Sequence, residues 1–182
     1  MVISANHLTV LRMILVPVFI LAMTYDRVDL ALAAFVIAGL TDILDGFIAR
    51  RFGQQTALGA TLDPVADKLL LSSAFITLSF PTLFLPLPLW LTITVLSRDI
   101  FLIVGVVIVN LTVERRVFLP TLWGKATTFF QLALITVTLV ANWQHWTPPL
   151  YRELVWVTAA LTIFSGMVYL TRGRVILRST KD

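Results

Sequence analysis

The sequence predicts an all-α integral membrane protein with six transmembrane helices and both termini in the cytoplasm. Three observations lead to this fold class: 58% of the 182 residues are hydrophobic, only 13% are charged, and the mean hydropathy is +0.92. A soluble domain contains roughly 45–50% apolar residues, and apolar runs of about 20 residues can cross a bilayer as helices. The chain has no cysteine, which excludes a disulfide framework, a thiolate nucleophile and a cysteine metal site.

Six apolar segments follow one another, separated by turn-forming or charged residues. We predict helices over residues 8–25, 30–51, 64–80, 89–113, 121–141 and 151–170. Pro17 is tolerated inside the first helix as a kink, and Asp26, Arg27 and Asp29 form the polar turn after it. The second helix becomes acidic toward its end. The third is expected to begin at Pro64, because proline suits a first helical turn.

The later connections are rich in proline or polar. Prolines stand at positions 81, 86 and 88, before the fourth helix, and residues 142–149 form the loop before the sixth. No second domain, low-complexity segment or clear internal repeat interrupts this pattern. The sequence therefore predicts a single membrane domain over residues 1–182.

The distribution of basic residues sets the orientation of the six spans. The opposite loops hold only Arg27 and Arg152, whereas the side of the termini holds a larger set: Arg50, Arg51, Lys68, Arg115, Arg116, Lys125, Arg172, Arg174, Arg178 and Lys181. Basic loops stay in the cytoplasm, so this side, with the acidic segment, is expected to be cytoplasmic. The net charge of +4 then reflects orientation and not nucleic-acid binding. The lack of a transit peptide favours a bacterial plasma membrane.

Aspartates at helical spacing form the most specific polar feature of the chain. Two helical faces are predicted to meet across a short polar loop, one with Asp42, Asp45, Gly46 and Ala49, the other with Gly59, Asp63 and Asp67. Four carboxylates brought together repel one another unless they are neutralised. Two divalent cations would do so, and all-oxygen ligands favour Mg²⁺ or Mn²⁺. The small residues leave room for a bulky ligand, and Arg50 can pair with a phosphate.

Two other interpretations of the aspartates remain open at this point. The carboxylates could pair with Arg50, Arg51 and Lys68 for packing alone. They could also form the binding site of a divalent-cation channel or transporter, although they cluster near one membrane face and not at the midplane.

The segment from Asp42 to Asp67 resembles the signature of the CDP-alcohol phosphotransferase family, D-x2-D-G-x2-A-R-x8-G-x3-D-x3-D. The resemblance covers essentially the whole chain and implies transfer of a phosphatidyl group from CDP-diacylglycerol to an alcohol, with release of CMP. It implies that two metal ions are held by Asp42, Asp45, Asp63 and Asp67. It also makes Asp67 the general base that takes the proton of the acceptor hydroxyl. The cytidine-diphosphate site is implied at Gly46, Ala49, Arg50 and Gly59.

The run from Asn6 to Pro17 is similar to a second family pattern, N-x-L-T-x-x-R-x4-P. By this resemblance Asn6 and Thr9, one helical turn apart, would bond the nucleotide phosphates. Helix capping is the alternative, since both residue types are common at caps. Ala5 stands where the family usually has proline.

Basic residues near the fourth and fifth helices are the candidates for binding the acceptor: Arg98, Lys125, Arg115 and Arg116. Arg98 either pairs with Asp99 or faces an acceptor phosphate, because an unpaired charge inside an apolar span is costly. The run that begins at Gly124-Lys125 resembles family members that make phosphatidylglycerophosphate or cardiolipin, and Ser97-Arg98-Asp99 resembles eukaryote-type cardiolipin synthases. Glycerol 3-phosphate is therefore the leading acceptor, with phosphatidylglycerol as the alternative. Family members are often homodimers, so a second copy is a candidate partner beside the lipid bilayer.

Overall fold

The computed structural model is all-helical over the residues that it describes. It describes the backbone of residues 5–52, 57–112 and 122–178, and the side chains of residues 10–42, 66–105, 122–169 and 171. Six helices lie in these ranges: α1 Ala5–Thr24, α2 Val28–Phe52, α3 Ala57–Leu78, α4 Leu89–Thr112, α5 Leu122–Gln144 and α6 Tyr151–Arg178. The all-α class and the number of helices in the prediction are confirmed.

Several helix boundaries differ from the prediction, and the two largest differences lie in α3 and α6. Helix α3 begins at Ala57 and contains position 64, so Pro64 is not its first residue. The glycine at position 59 and the aspartate at position 63 interrupt the apolar pattern, so the pattern does not indicate the first turns of this helix. Helix α6 continues to Arg178 instead of ending at residue 170. The sequence of its last turns is basic, and positive charges near the C-terminal end of a helix interact favourably with the helix dipole. Asp29 lies in the first turn of α2, where a negative charge interacts favourably with the positive end of the helix dipole.

Among the described residues, α5 alone is long and apolar enough by itself to cross a membrane, and a shorter apolar helical stretch lies over Val10–Thr24. The helices form two compact units. The first comprises Met1–Pro86 and Ile135–Trp146, and the second comprises Leu87–Leu134 and Thr147–Asp182. Helix α5 contributes its C-terminal part to the first unit and its N-terminal part to the second.

In the first unit, α1 and α2 form a tight antiparallel hairpin. Asp26 adopts a left-handed conformation with φ of 57°, and the amide of Arg27 donates to the carbonyl of Ala22 at 2.8 Å. This is the hydrogen bond of a Schellman-type helix end, and aspartate is one of the few non-glycine types that tolerate the conformation. The turn reverses the chain within a few residues, so α2 runs back along α1.

The core of the first unit consists of apolar side chains repeated at helical spacing. Phe19 of α1 lies against Phe35 of α2 with their ring centroids 6.1 Å apart, and Phe75 of α3 is fully buried. Small residues on α2, including Ala31 and Ala38, are also fully buried and let the helices approach closely. The same packing stripe of α1 continues to Arg12, which is therefore carried into the interior.

The proline-rich connection after α3 is held by the side chain of Asn142, which is almost fully buried. Its carboxamide oxygen accepts from the amide of Leu85 at 2.9 Å, and its nitrogen donates to the carbonyls of Leu85 at 2.9 Å and Thr138 at 2.8 Å. One side chain thus satisfies both backbone groups of Leu85.

We expect Asn142→Leu to lower the free energy of unfolding by about 1–3 kcal/mol, because the backbone amide and carbonyl of Leu85 lose their buried partner. Thermal unfolding in detergent, followed by circular dichroism, measures the change. Asn142→Asp keeps the acceptor for the Leu85 amide but places a buried carboxylate oxygen against the carbonyls of Leu85 and Thr138, so it should lose stability as well. An unchanged melting temperature for Asn142→Leu contradicts the assignment.

In the second unit, α6 packs against α4 and the N-terminal part of α5. Trp90 of α4 lies 5.2 Å from Trp156 of α6, between ring centroids. Buried polar groups lie between α5 and α6: Nε2 of Gln131 donates to the hydroxyl of Thr162 at 3.4 Å. The hydroxyl of Thr127, which donates to the carbonyl of Trp123 at 2.8 Å, also lies 3.1 Å from the carbonyl of Leu161. Such interhelical hydrogen bonds between otherwise apolar helices are typical of membrane proteins.

Candidate active site

Two of the four predicted aspartate ligands, Asp42 of α2 and Asp67 of α3, meet at one arginine of α1. Nη2 of Arg12 lies 2.9 Å from Oδ1 of Asp42, and Nη1 lies 2.7 Å from Oδ1 of Asp67. The guanidinium therefore joins three helices of the first unit at one point. Both contacts are within the range of charge-assisted hydrogen bonds.

The hairpin geometry explains why Arg12 and Asp42 lie at the same level. Arg12 lies twelve residues before the end of α1 at Thr24, and Asp42 lies fourteen residues after the start of α2 at Val28. At 1.5 Å per residue, these distances from the turn are about 18 and 21 Å. Asp42 and Asp67 thus both reach Arg12 of α1, and the gathering of all four carboxylates stays a prediction.

The burial of the three groups is unequal. The side chain of Arg12 is 1% exposed, whereas those of Asp42 and Asp67 are 49% and 42% exposed. The arginine reaches the carboxylates from inside the protein, and each carboxylate keeps an accessible side. Among the described side chains that meet here, one guanidinium contacts two carboxylates, and this excess of negative charge favours a cation at the exposed side.

The other predicted ligands and nucleotide contacts lie outside the described side chains. Positions 45, 46, 49 and 50 lie in α2, position 59 and position 63 lie in α3, and positions 6 and 9 lie in α1; Arg115 and Arg116 lie outside the described backbone. Within the side chains that are described, no three acidic or histidine groups gather into a metal site. The roles of these residues stay predictions.

Arg12 is the site residue that sequence reasoning missed. Arg12 is the arginine of the pattern N-x-L-T-x-x-R-x4-P, but the pattern alone indicates no role for it. One feature of the sequence indicates a role for Arg12: it is a charged residue inside the apolar run of α1. A charge inside a membrane segment needs a partner. The sequence alternative that paired the aspartates with Arg50, Arg51 and Lys68 did not include it.

In the second unit, Arg98 makes the pairing that the sequence left open. Its Nη1 lies 2.7 Å from Oδ1 of Asp99 and its Nη2 donates to the hydroxyl of Ser165 at 2.7 Å, and its guanidinium carbon lies 6.0 Å from the ring centroid of Tyr169. Both members of the ion pair are buried. Nε of Arg98 is buried and has no hydrogen-bond partner among the described residues. Lys125 is exposed on α5.

Comparison with known proteins connects this geometry to a family. The sequence profile described as CDP-alcohol phosphatidyltransferase matches residues 2–164. A Mycobacterium tuberculosis protein named a probable phosphatidylglycerophosphate synthase is 40% identical over 93% of this chain and 80% of its own length. The human cardiolipin synthase (CMP-forming) is 35% identical over 97% of this chain and 64% of its own length.

A Bacillus subtilis relative of similar length has the name CDP-diacylglycerol–glycerol-3-phosphate 3-phosphatidyltransferase. It is 30% identical over 96% of this chain and 97% of its own length. These matches confirm the family expected from the aspartate motif and favour an enzyme over a channel or transporter. The chain belongs to the CDP-alcohol phosphatidyltransferase family, and it is a phosphatidyltransferase of phospholipid biosynthesis.

Proposed function

We propose that the chain transfers the phosphatidyl group of CDP-diacylglycerol to glycerol 3-phosphate and releases CMP. The observation that carries the proposal is the pair of accessible carboxylates, Asp42 and Asp67, held 2.9 and 2.7 Å from one buried guanidinium inside the family's aspartate motif. Relatives from Bacillus subtilis and Escherichia coli, each matched over more than nine-tenths of both chains, are named for this acceptor.

The proposed reaction is a single displacement at phosphorus. The acceptor hydroxyl oxygen bonds to the phosphorus that carries diacylglycerol, the bond from this phosphorus to CMP breaks, and the hydroxyl proton passes to a carboxylate oxygen of Asp67. The carboxylates of Asp42, Asp45, Asp63 and Asp67 would hold two Mg²⁺ or Mn²⁺ ions, and this donor set fits hard cations. When bound, such ions neutralise the diphosphate and the leaving CMP.

The substrate contacts extend this proposal to basic and small residues. The nucleotide would be bound by the set Asn6, Thr9, Gly46, Ala49, Arg50 and Gly59. The acceptor phosphate would be bound by Arg98, Lys125, Arg115 and Arg116. The buried Nε of Arg98, which has no hydrogen-bond partner within the described part of the chain, supports a ligand contact there, because a buried donor without an acceptor is unfavourable.

The proposal includes six membrane spans in one domain, with both termini and the aspartates on the cytoplasmic side of a bacterial plasma membrane. The six helices have 20 to 28 residues, enough to cross about 30 Å of hydrocarbon. Large apolar side chains such as Leu21, Phe101 and Phe164 are exposed on α1, α4 and α6, which favours lipid contact. A homodimer is part of the same proposal.

Phosphatidylglycerol is the second candidate acceptor. The human relative is named a CMP-forming cardiolipin synthase, and the Ser97-Arg98-Asp99 sequence of this chain resembles that type. The reaction at phosphorus and the proposed role of Asp67 are the same for both acceptors.

The test is CMP release from CDP-diacylglycerol by the purified protein in detergent, with Mg²⁺ or Mn²⁺ and each acceptor in turn. We expect release to require glycerol 3-phosphate and to stop when EDTA removes the divalent ion. CMP release that requires phosphatidylglycerol would instead identify the reaction as cardiolipin synthesis. The absence of release with any acceptor, from protein with the expected helical content, would overturn it.

A further inference from the structure

We infer that Arg12 is a positioning residue of the metal site: it stays bound to Asp42 and Asp67 on their buried side and orients both carboxylates while their exposed sides hold metal. The inference rests on the proposed function, because it assumes a divalent ion at these aspartates. It assigns a role to a residue that touches neither substrate nor metal.

The geometry of the guanidinium suits this role. Its two terminal nitrogens each contact a different carboxylate, at 2.9 Å for Asp42 and 2.7 Å for Asp67. The planar fork of arginine suits such a bridge, whereas lysine presents its charge at one point. Arg12 therefore fixes the distance between a side chain of α2 and a side chain of α3, the two helices that supply all four proposed ligands.

Arg12 approaches the two carboxylates from the buried side, which leaves their other side open to solvent. Arg12 is fully buried as a residue, and the two carboxylates remain nearly half exposed. A metal ion arriving from solvent meets the exposed side of the carboxylates and does not compete for the space that the guanidinium occupies. Partners of this kind, which orient metal ligands from outside the coordination sphere, are common at metal sites.

Arg12 would have the opposite role if it were a placeholder, occupying the metal site until a metal ion displaces it from the carboxylates. Displacement would break two charge-assisted hydrogen bonds of a guanidinium that is 1% exposed, which is unfavourable in the protein interior. The present conformation of Arg12 leaves the exposed sides of both carboxylates accessible, so a metal ion does not need to displace it. The two roles predict opposite effects on metal affinity when Arg12 is replaced.

The experiment measures Mn²⁺ binding to the full-length protein in detergent by electron paramagnetic resonance, for wild type, Arg12→Lys and Arg12→Met. We expect the dissociation constant to rise about 10- to 100-fold in both variants, the usual effect of losing an outer partner of metal ligands. Arg27→Met is the matched control, because it removes the same charge from an exposed arginine of the same unit that pairs with Asp29. Its affinity for Mn²⁺ should equal that of wild type.

The melting temperature of each metal-free variant separates positioning from general stability. A purely structural role lowers this temperature and leaves the Mn²⁺ affinity of the folded protein unchanged, which would overturn the inference. Tighter Mn²⁺ binding by either variant would also overturn it, in favour of the placeholder. If Arg12→Met does not fold, Arg12→Lys retains the buried charge and decides the result.

The control on the proposed function is the wild-type protein itself. Wild type that releases CMP and binds Mn²⁺, with Arg12 variants that bind it equally well, disproves the positioning role alone. Wild type without Mn²⁺ binding disproves the metal site and, with it, the role of Arg12.

Discussion

Replacement of Asp67 by asparagine is expected to lower the rate of CMP release by about 10²- to 10⁴-fold, the usual contribution of a general base. In the proposed reaction the acceptor hydroxyl is a weak nucleophile until its proton is removed. A carboxylate can take this proton, whereas a neutral carboxamide cannot. The loss of one negative charge from the metal-binding set acts in the same direction.

The contacts of Asp67 indicate that this variant keeps its fold. Oδ1 of Asp67 accepts a hydrogen bond from Nη1 of Arg12 at 2.7 Å, and the carboxamide oxygen of asparagine can accept the same bond. Asp42 still balances the charge of Arg12 in the variant. A large loss of activity with little change in melting temperature is therefore the expected combination.

The measurement is the rate of CMP release at saturating CDP-diacylglycerol, compared with Asp29→Asn as a control. Asp29 is an aspartate in the first turn of α2, and the hydrogen bond from Arg27 lowers its pKa below the ordinary value. It is thus a charged carboxylate in the same unit, outside the motif, and its replacement should leave the rate unchanged. Activity close to wild type in Asp67→Asn would refute the assignment of the base.

The aspartate pair could be predicted from sequence because helical spacing and a short loop restrict the geometry strongly. Residues separated by three or four positions share a helix face, and a short connection forces neighbouring helices to run antiparallel. An antiparallel arrangement of these two helices places Asp42 and Asp67 at the same level, because each lies ten residues from its end of the connection. The same spacing predicts the places of Asp45 and Asp63, whose side chains lie outside the described part.

Arg12 could not be placed in the same way, because its contact depends on the packing of a third helix. The α1–α2 turn, with Asp26 in a left-handed conformation, determines which residue of α1 stands level with Asp42. One residue more or less in that turn would rotate α1 by about 100°, since a helix has 3.6 residues per turn. Local patterns also missed the start of α3 at Ala57, where the apolar repeat is interrupted before Pro64.

The second large effect is expected at the buried ion pair of α4. Replacement of Arg98 by methionine should lower the free energy of unfolding by about 3–5 kcal/mol, because Asp99 remains buried without the guanidinium. Both side chains are 7% exposed, and the pair has a nitrogen–oxygen distance of 2.7 Å. Thermal unfolding in detergent measures the loss. Arg27→Met breaks an exposed pair and should have no measurable effect.

The double variant Arg98→Met/Asp99→Leu then separates stability from substrate binding. Replacement of both buried charges by apolar residues is often neutral for stability, so we expect the double variant to recover most of the loss. Its KM for glycerol 3-phosphate should still rise about 10- to 100-fold, because a hydrogen bond to a charged group contributes about 1.5–3 kcal/mol. Nε of Arg98 has no hydrogen-bond partner within the described residues and can supply this contact. A stable double variant with an unchanged KM would show that Arg98 has a structural role alone, and would leave Lys125, Arg115 and Arg116 as the candidates for binding the acceptor.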